Sequence, residues 1–427
     1  MQRIALTSDS IPRVLERLER DPAVETETRG VVSRILADVK AEGLDRALAY
    51  GREFDGVDVD RASVRAEPDA MRGVAMALDR EAPDLMSALR TMITHVRAFA
   101  VAQRAALSDV SVPLPHGGVV GERWVPLERV GMYVPGGRAF YPSTLVMTVV
   151  PALVAGVTRV VAVTPPQRQG LDPVLLATAH LVGLDELYTI GGAQGIAWLA
   201  HGDPRVDLVA GPGNRFVAEA KRQLVGTCGI DSVAGPTEVL VLADQAADPA
   251  RVAEDLLAQA EHDPDAAAVL GSTSEVLLEA VLAEVTARVA ESPRREILEA
   301  SLSRFGFLLH GSRETLIAFA QRFAPEHLEL VVRDPDEWKD KLTTAGALFV
   351  GSASAEAFGD YGVGPNHVLP TNRTARYSSP LGVATFMKRQ SLLSLSDADA
   401  SAMSPWVARL ADAEKLVHHA RSARLRG

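Results

Sequence analysis

Gln259 and His262 stand three residues apart in the stretch Glu-Asp-Leu-Leu-Ala-Gln-Ala-Glu-His-Asp-Pro, residues 254–264. Val252, Leu256, Leu257 and Ala260 recur near helical spacing and Pro264 closes the run, so the stretch reads as the last turns of a helix. Two residues at that spacing share one helical face, about 5–6 Å apart at Cβ. An amide oxygen and a neutral imidazole on one face can begin a metal site but not complete it. Zinc usually takes four ligands, and a catalytic zinc keeps one place for water or substrate. Asp360, in Gly-Asp-Tyr-Gly-Val-Gly-Pro-Asn-His at 359–367, is a plausible hard ligand, whereas His367 of the same stretch can instead tie down the loop. Glu414, His418 and His419 form a further acid–imidazole group near the C-terminus, with Glu414 and His418 at i and i+4. A solvated helix end, its cations set against the dipole, is the plainer reading of that group.

A second pair suits proton transfer. Glu326 and His327 follow Ala324 and Pro325, at what reads as a helix-to-strand junction. Adjacent residues of an extended segment point to opposite sides, but in a turn both can border one cavity. An imidazole titrates near neutrality and a buried carboxyl is raised toward it, which fits general-base work.

The elements that would hold these groups alternate. Up to about residue 110 the chain reads as helical. Val31, Val32, Ile35, Leu36 and Val39 form one apolar stripe, and Leu85, Leu89, Met92, Ile93 and Val96 another on a long helix after Pro83. Such stripes are usually core. Beyond Gly117 short β-branched runs alternate with helices. Strands at 157–164, 186–190 and 206–210 precede the turns or helices that follow, and two of them end in Gly-Gly-Ala-Gln at 191–194 and Gly-Pro-Gly-Asn at 211–214. A second block places strands at 238–242, 267–270, 305–310, 328–332 and 347–350 between helices at 249–262, 274–290 and 313–323. The pattern predicts an α/β fold of two Rossmann-like, doubly wound parallel-sheet units, with a helical N-terminal segment and a small C-terminal extension. Glycine turns between a strand and a helix are where such folds bind ligands. Neither turn is a full GxGxxG, since Phe216 stands where the third glycine belongs. Tight turns alone account for the glycines.

Composition narrows the class of function. The chain has 427 residues, enough for more than one domain, and 47% of them are hydrophobic. The net charge of -11 argues against nucleic acid as a partner. The one cysteine, Cys228, excludes an intrachain disulfide framework and any CxxC motif. The N-terminus lacks the apolar core of a signal peptide, and apolar runs such as 145–157 contain Pro151 and Gly156 and are too short for a bilayer. A cytoplasmic protein is expected, with neither nucleic acid nor membrane as partner.

Taken together, the motifs resemble those of the histidinol dehydrogenases. They are Val-Gly-Met-Tyr-Val-Pro-Gly-Gly at 130–137, the glycine turns at 191–194 and 211–214, Ala-Lys-Arg-Gln at 220–223 and Ala-Gly-Pro-Thr-Glu-Val-Leu at 234–240. Gln-Ala-Glu-His at 259–262, Pro-Glu-His at 325–327, Gly-Asp at 359–360 and Asn-His-Val-Leu-Pro-Thr at 366–371 complete the series. They occur in the family's order over residues 120–420. The resemblance implies one zinc per subunit, held by Gln259, His262, Asp360 and His419, the last supplied by the partner subunit of a homodimer with shared active sites. A glutamate five residues before the ligand favours His419 over His418. It implies catalytic roles for Glu326 and His327, and NAD contacts from Tyr133, Gln194 and Asn214. It also implies substrate contacts from Thr237, Gln259, His262, His327, Asp360, Glu414 and His419. Thr237 stands where the family often has serine, and Phe323 where tyrosine is common. The implied reaction oxidises L-histidinol to L-histidine through histidinaldehyde, with two NAD.

The domain division expected from this reading has four parts. Residues 1–25 form an N-terminal helical segment. Residues 26–132 with 238–380 form an α/β domain carrying most of the metal and catalytic site. Residues 133–237 form an NAD-binding Rossmann-like domain, and 381–427 a C-terminal extension that reaches the partner's site. Two other chemistries use the same residue types. A thiol-dependent aldehyde dehydrogenase would need Cys228 to be activated, and a zinc hydrolase would use Glu326 on water without NAD.

Overall fold

The computed structural model of the chain describes residues 1–19, 22–136, 141–203 and 205–427. Gly137, at the end of one motif above, lies outside the described residues. Two six-stranded sheets organise the molecule. The first runs, edge to edge, Gln2–Ala5, Gly306–His310, Ala267–Ser272, Glu238–Ala243, His327–Val331, Ala347–Val350, and every pairing is parallel. The second runs Arg65–Ala66, Glu186–Thr189, Arg159–Thr164, Arg129–Tyr133, Leu208–Ala210, Gly229–Ile230. It is parallel except at the Arg65–Ala66 edge, which pairs antiparallel.

Both sheets carry core on each face, as the unbroken apolar runs of their central strands require. Val239, Val241 and Ala268 lie under the helices Pro249–Ala260 and Glu275–Glu291, and Leu240, Leu242 and Val269 under the helix Arg313–Phe323. In the second sheet the helix Pro22–Glu42 packs on Gly192–His201 and Arg215–Leu224, while Pro83–Ala106 packs on Pro142–Ala155. The two N-terminal stripes are core as expected, with one shift. Leu85 is exposed, and Met86 takes its place against the sheet.

The strand order corrects the expected division. Residues 26–132 do not join 238–380. Arg129–Tyr133 is a central strand of the second sheet, Arg65–Ala66 its edge, and the helices between 22 and 106 cover its faces. Residues 1–25 are not wholly helical either, because Gln2–Ala5 completes the far edge of the first sheet. Both misassignments have one cause. Hydrophobic period identifies an element but carries no information about which sheet its apolar face meets.

The C-terminal extension also supplies a strand. Met387–Ser394 pairs along its whole length with Val119–Pro126, which also pairs with Val110–Pro113, in a separate antiparallel sheet. The extension ends in two helices, Asp397–Ala413 and Val417–Arg424, broken at Lys415, whose φ is 63°. These two helices pack chiefly on each other.

Candidate active site

The first sheet presents its chemistry at the amino ends of its strands. Thr237 and Glu238 open one central strand, and Glu326 and His327 open its neighbour. The parallel register pairs Val239 with His327, and His327 with Ala347. Ala324 ends the preceding helix in the left-handed region at φ 48°, and Pro325 then turns the chain into the strand. That turn lets neighbouring residues face one space. The His327 ring nitrogen Nδ1 lies 3.7 Å from Glu326 Oε2 and 3.8 Å from Glu356 Oε1.

One residue of the adjacent strand holds both members of the pair. The Glu238 backbone N–H donates to Glu326 Oε2 at 3.1 Å, and the Glu238 carbonyl lies 3.2 Å from His327 Nδ1. A carbonyl can only accept, so Nδ1 carries the proton and Nε2 keeps its lone pair. Thr237 Oγ1 donates to Glu326 Oε2 at 2.5 Å and accepts from Gln259 Nε2 at 2.8 Å. The hydroxyl expected to contact substrate therefore also links the carboxyl to the helix bearing Gln259.

Gln259 is fully buried, and its Oε1 has no hydrogen-bond partner. His262 Nδ1 lies 2.9 Å from the Ala258 carbonyl, which fixes the proton on Nδ1 and frees Nε2. Asp360 closes the short helix Glu356–Asp360, and the His367 ring is tied by Nδ1 to the Asp360 carbonyl at 3.0 Å, the loop role its spacing allowed. Asp360 and His262 both act electrostatically on His327 and on His367, so they border the same space. Glu414, His418 and His419 are exposed at the C-terminal pair of helices, and among the described residues no hydrogen bond or ion pair joins them to this group.

Burial sets the protonation states. It pushes the Glu326 carboxyl up to about 8, against the opposing hydrogen bond from Thr237. The His327 imidazole is pushed down to about 4, and that of His367 is lowered, again by burial first. Glu356 was not singled out by sequence, yet burial holds its carboxyl well above the usual range and its N–H donates to Glu329 Oε1 at 2.8 Å. Its only sequence signal is the i to i+4 spacing to Asp360, which in so short a helix carries little weight. One ligand atom each from His327, Glu356 and Asp360 lies within 4.8 Å of the others, which makes these three a second candidate ligand group among the described residues. A protonated acid and a ring whose near nitrogen already donates are poor ligands, so Asp360 is the strongest member.

A cavity of about 910 Å³ opens on this group, lined by Phe99, His327, Phe349, Asp360, His367 and Leu381 among others. It lies where the two halves meet. His367 Nε2 is 3.5 Å from Thr144 Oγ1, in the first turn of the helix that follows the Arg129–Tyr133 strand. Asn366 Nδ2 donates to the Met147 carbonyl at 2.6 Å. Thus the amino edge of the first sheet meets the carboxyl edge of the second.

That carboxyl edge holds the residues expected to contact a nucleotide. The Tyr133 hydroxyl accepts from the Gly192 N–H at 3.0 Å, and the ring is buried. Gln194 is buried in the first turn of Gly192–His201, and Asn214 caps Arg215–Leu224 by accepting from the N–H groups of Phe216 and Val217. Phe323, the departure noted in the sequence, is buried against Phe319 with ring centroids 5.6 Å apart. Cys228 is not among the residues that line the cavity, and burial pushes its thiol up to about 11, the opposite of the lowering that an activated thiolate needs.

Comparison with known proteins agrees over nearly the whole chain. The family model described as histidinol dehydrogenase matches residues 18–427. A histidinol dehydrogenase of Thermosynechococcus vestitus is 44% identical over 415 residues, covering 95% of this chain and 94% of that one. One of Neisseria meningitidis serogroup B is 41% identical over 414 residues, covering 95% of each. Among solved structures, a histidinol dehydrogenase from Elizabethkingia anophelis superimposes with a TM-score of 0.91 at 31% identity, covering all of this chain and 98% of that one.

Proposed function

The chain belongs to the histidinol dehydrogenase family of NAD-dependent dehydrogenases, and from that premise we propose that it oxidises L-histidinol to L-histidine through the aldehyde, with zinc and two NAD. The observation that carries the metal part is the pair Gln259 and His262. A buried amide oxygen without a partner, beside an imidazole whose Nδ1 is already committed, is a donor set waiting for a cation. Asp360 supplies the charged ligand, and His419 of a second copy the fourth. Two helices, Pro249–Ala260 and Arg313–Phe323, end at this edge of the sheet. Their C-terminal dipole ends favour cationic groups, which suits both a divalent metal and the amine of an amino alcohol. When bound, zinc would hold the imidazole and amine of histidinol as a template, and NAD would accept the hydride.

The chain's own residues divide the proton work. His327, neutral because it is buried, takes the hydroxyl proton on Nε2 while Nδ1 stays on the Glu238 carbonyl. Glu326 must lose its proton before it can activate water for the second oxidation, and Thr237 with the Glu238 N–H keeps the resulting carboxylate in place. Glu414 and His419, reaching from the partner, complete the substrate pocket. Tyr133, Gln194 and Asn214 position the nucleotide at an edge where three helix N-termini favour its phosphates. Enclosure between the sheets keeps the reactive aldehyde from escaping.

The test is NADH formation from L-histidinol and NAD with metal content measured alongside. Two NADH per histidinol, lost with chelator and restored by zinc, is the expected result. His262→Asn should lose zinc, whereas Glu356→Gln should keep it. The opposite pattern would transfer the metal to the His327–Glu356–Asp360 group. Turnover without NAD would point to the hydrolase reading.

A further inference from the structure

We infer that Lys221 and Asp231 are positioning residues for NAD: a buried ion pair that fixes the Gly211 peptide groups and so shapes the 211–214 turn. The inference rests on the reading of that turn as a nucleotide contact and goes beyond it, since neither residue reaches the site's surface.

The side chains are 1% and 3% exposed and form an ion pair with each other. Both also hold Gly211. Lys221 Nζ donates to the Gly211 carbonyl at 2.9 Å, and Asp231 Oδ2 accepts from the Gly211 N–H at 2.8 Å. Asp231 Oδ1 further accepts from the Ser232 N–H at 2.7 Å. Gly211 is the residue at which the strand Leu208–Ala210 leaves the sheet. Its φ of 111° lies in the left-handed region, and an added Cβ would stand 2.2 Å from the Tyr133 carbonyl. So the turn lies against the backbone of one proposed nucleotide residue and leads within three residues to another, Asn214.

Two features say that this arrangement serves the turn rather than general stability. Removing two charges from water is costly, and apolar residues at such sites are often as stable or more so. The pair also spends its hydrogen bonds on a loop peptide and not on the sheet. Lys221 lies on the helix Arg215–Leu224, which begins from the turn itself, and Asp231 just after the Gly229–Ile230 edge strand. The pair therefore ties both flanks of the turn to its first residue.

The experiment compares the wild type, Lys221→Met, and the double variant Lys221→Met with Asp231→Asn. In the double variant no charge is left unpaired, yet the Gly211 N–H keeps an acceptor, so it should fold even if the single variant does not. Steady-state kinetics should show KM for NAD raised about tenfold, with kcat and KM for histidinol changed less than about twofold. Lys221→Arg, which keeps the charge, should recover part of the loss. Hydrogen exchange of the wild type with and without NAD is read in parallel at residues 211–217. Protection by NAD there, with an unchanged KM for NAD in both variants, would overturn the inference and leave the nucleotide reading standing. No protection in the wild type would overturn both.

Discussion

Glu326 and His327 are adjacent in sequence and pushed in opposite directions by the same burial, the carboxyl up to about 8 and the imidazole down to about 4. Near neutrality both are uncharged, the combination in which an imidazole can accept a proton and a carboxyl has still to release one. The raised carboxyl gives a pH prediction. With the base form required, oxidation of supplied histidinaldehyde should rise with pH and pass its half-maximum near 8, the value to which burial pushes Glu326. Stopped-flow or steady-state rates on the aldehyde would show the limb. Glu326→Gln should lower that half-reaction about 10²–10⁴-fold and abolish the limb, while the alcohol step, which depends on His327, falls much less. Equal loss in both steps would assign Glu326 to the whole reaction. In the sequence the Glu-His pair by itself pointed only weakly to proton transfer, and it was the resemblance to the histidinol dehydrogenases that singled these two residues out. Glu356 was not legible. Its role depends on Glu329 and His327 converging from another strand, and no spacing within its own segment reports that.

At the scale of elements, the placement of the pair rests on close backbone contact. Gly346 precedes the strand Ala347–Val350, and a Cβ there would stand 2.7 Å from the Glu326 carbonyl. Its own N–H donates to the Pro325 carbonyl, and that of Ala347 to Glu326. Gly346→Ala should therefore displace the Glu326 peptide, at a cost of about 1–3 kcal/mol from overpacking. Thermal unfolding would measure that cost. The kinetic signature should be a fall in kcat with zinc content unchanged, since Gln259 and His262 lie on another element. Most strands and helices were legible from period and glycine turns; the expected 313–323 and 347–350 match the structure. The edge of the sheet was not. Doubly wound folds place ligands at carboxyl ends, where the second sheet carries its glycine turns, but the first sheet carries the Glu326–His327 pair at its amino ends, among helix C-termini. Strand polarity relative to a partner sheet is a long-range property, which local pattern cannot carry.

Across the whole molecule, Gln259, His262 and Asp360 are the proposed ligands that lie within the chain, while Glu414 and His419 stand exposed in a C-terminal pair of helices that pack chiefly on each other. If a second copy supplies them, two inactive proteins can repair one another. His262→Asn and His419→Ala should each be inactive alone. Co-expressed and purified as a hybrid through two different tags, they should recover activity, because one of the two sites then draws only unaltered residues from both chains. A hybrid as inactive as its parents would show that the tail does not serve a partner. The strand order has a further consequence, for synthesis. Every strand of the second sheet lies between residues 65 and 230, whereas the first sheet pairs residues 2–5 with 306–310 and ends at 347–350. Translation runs from the N-terminus and domains tend to fold as units. The half with the glycine turns can thus close while residues 2–5, the edge strand of the first sheet, still lack partners some 300 positions further on. An order of assembly is written into the topology: the half with the glycine turns first, and the Glu326–His327 pair only in the nearly finished polypeptide.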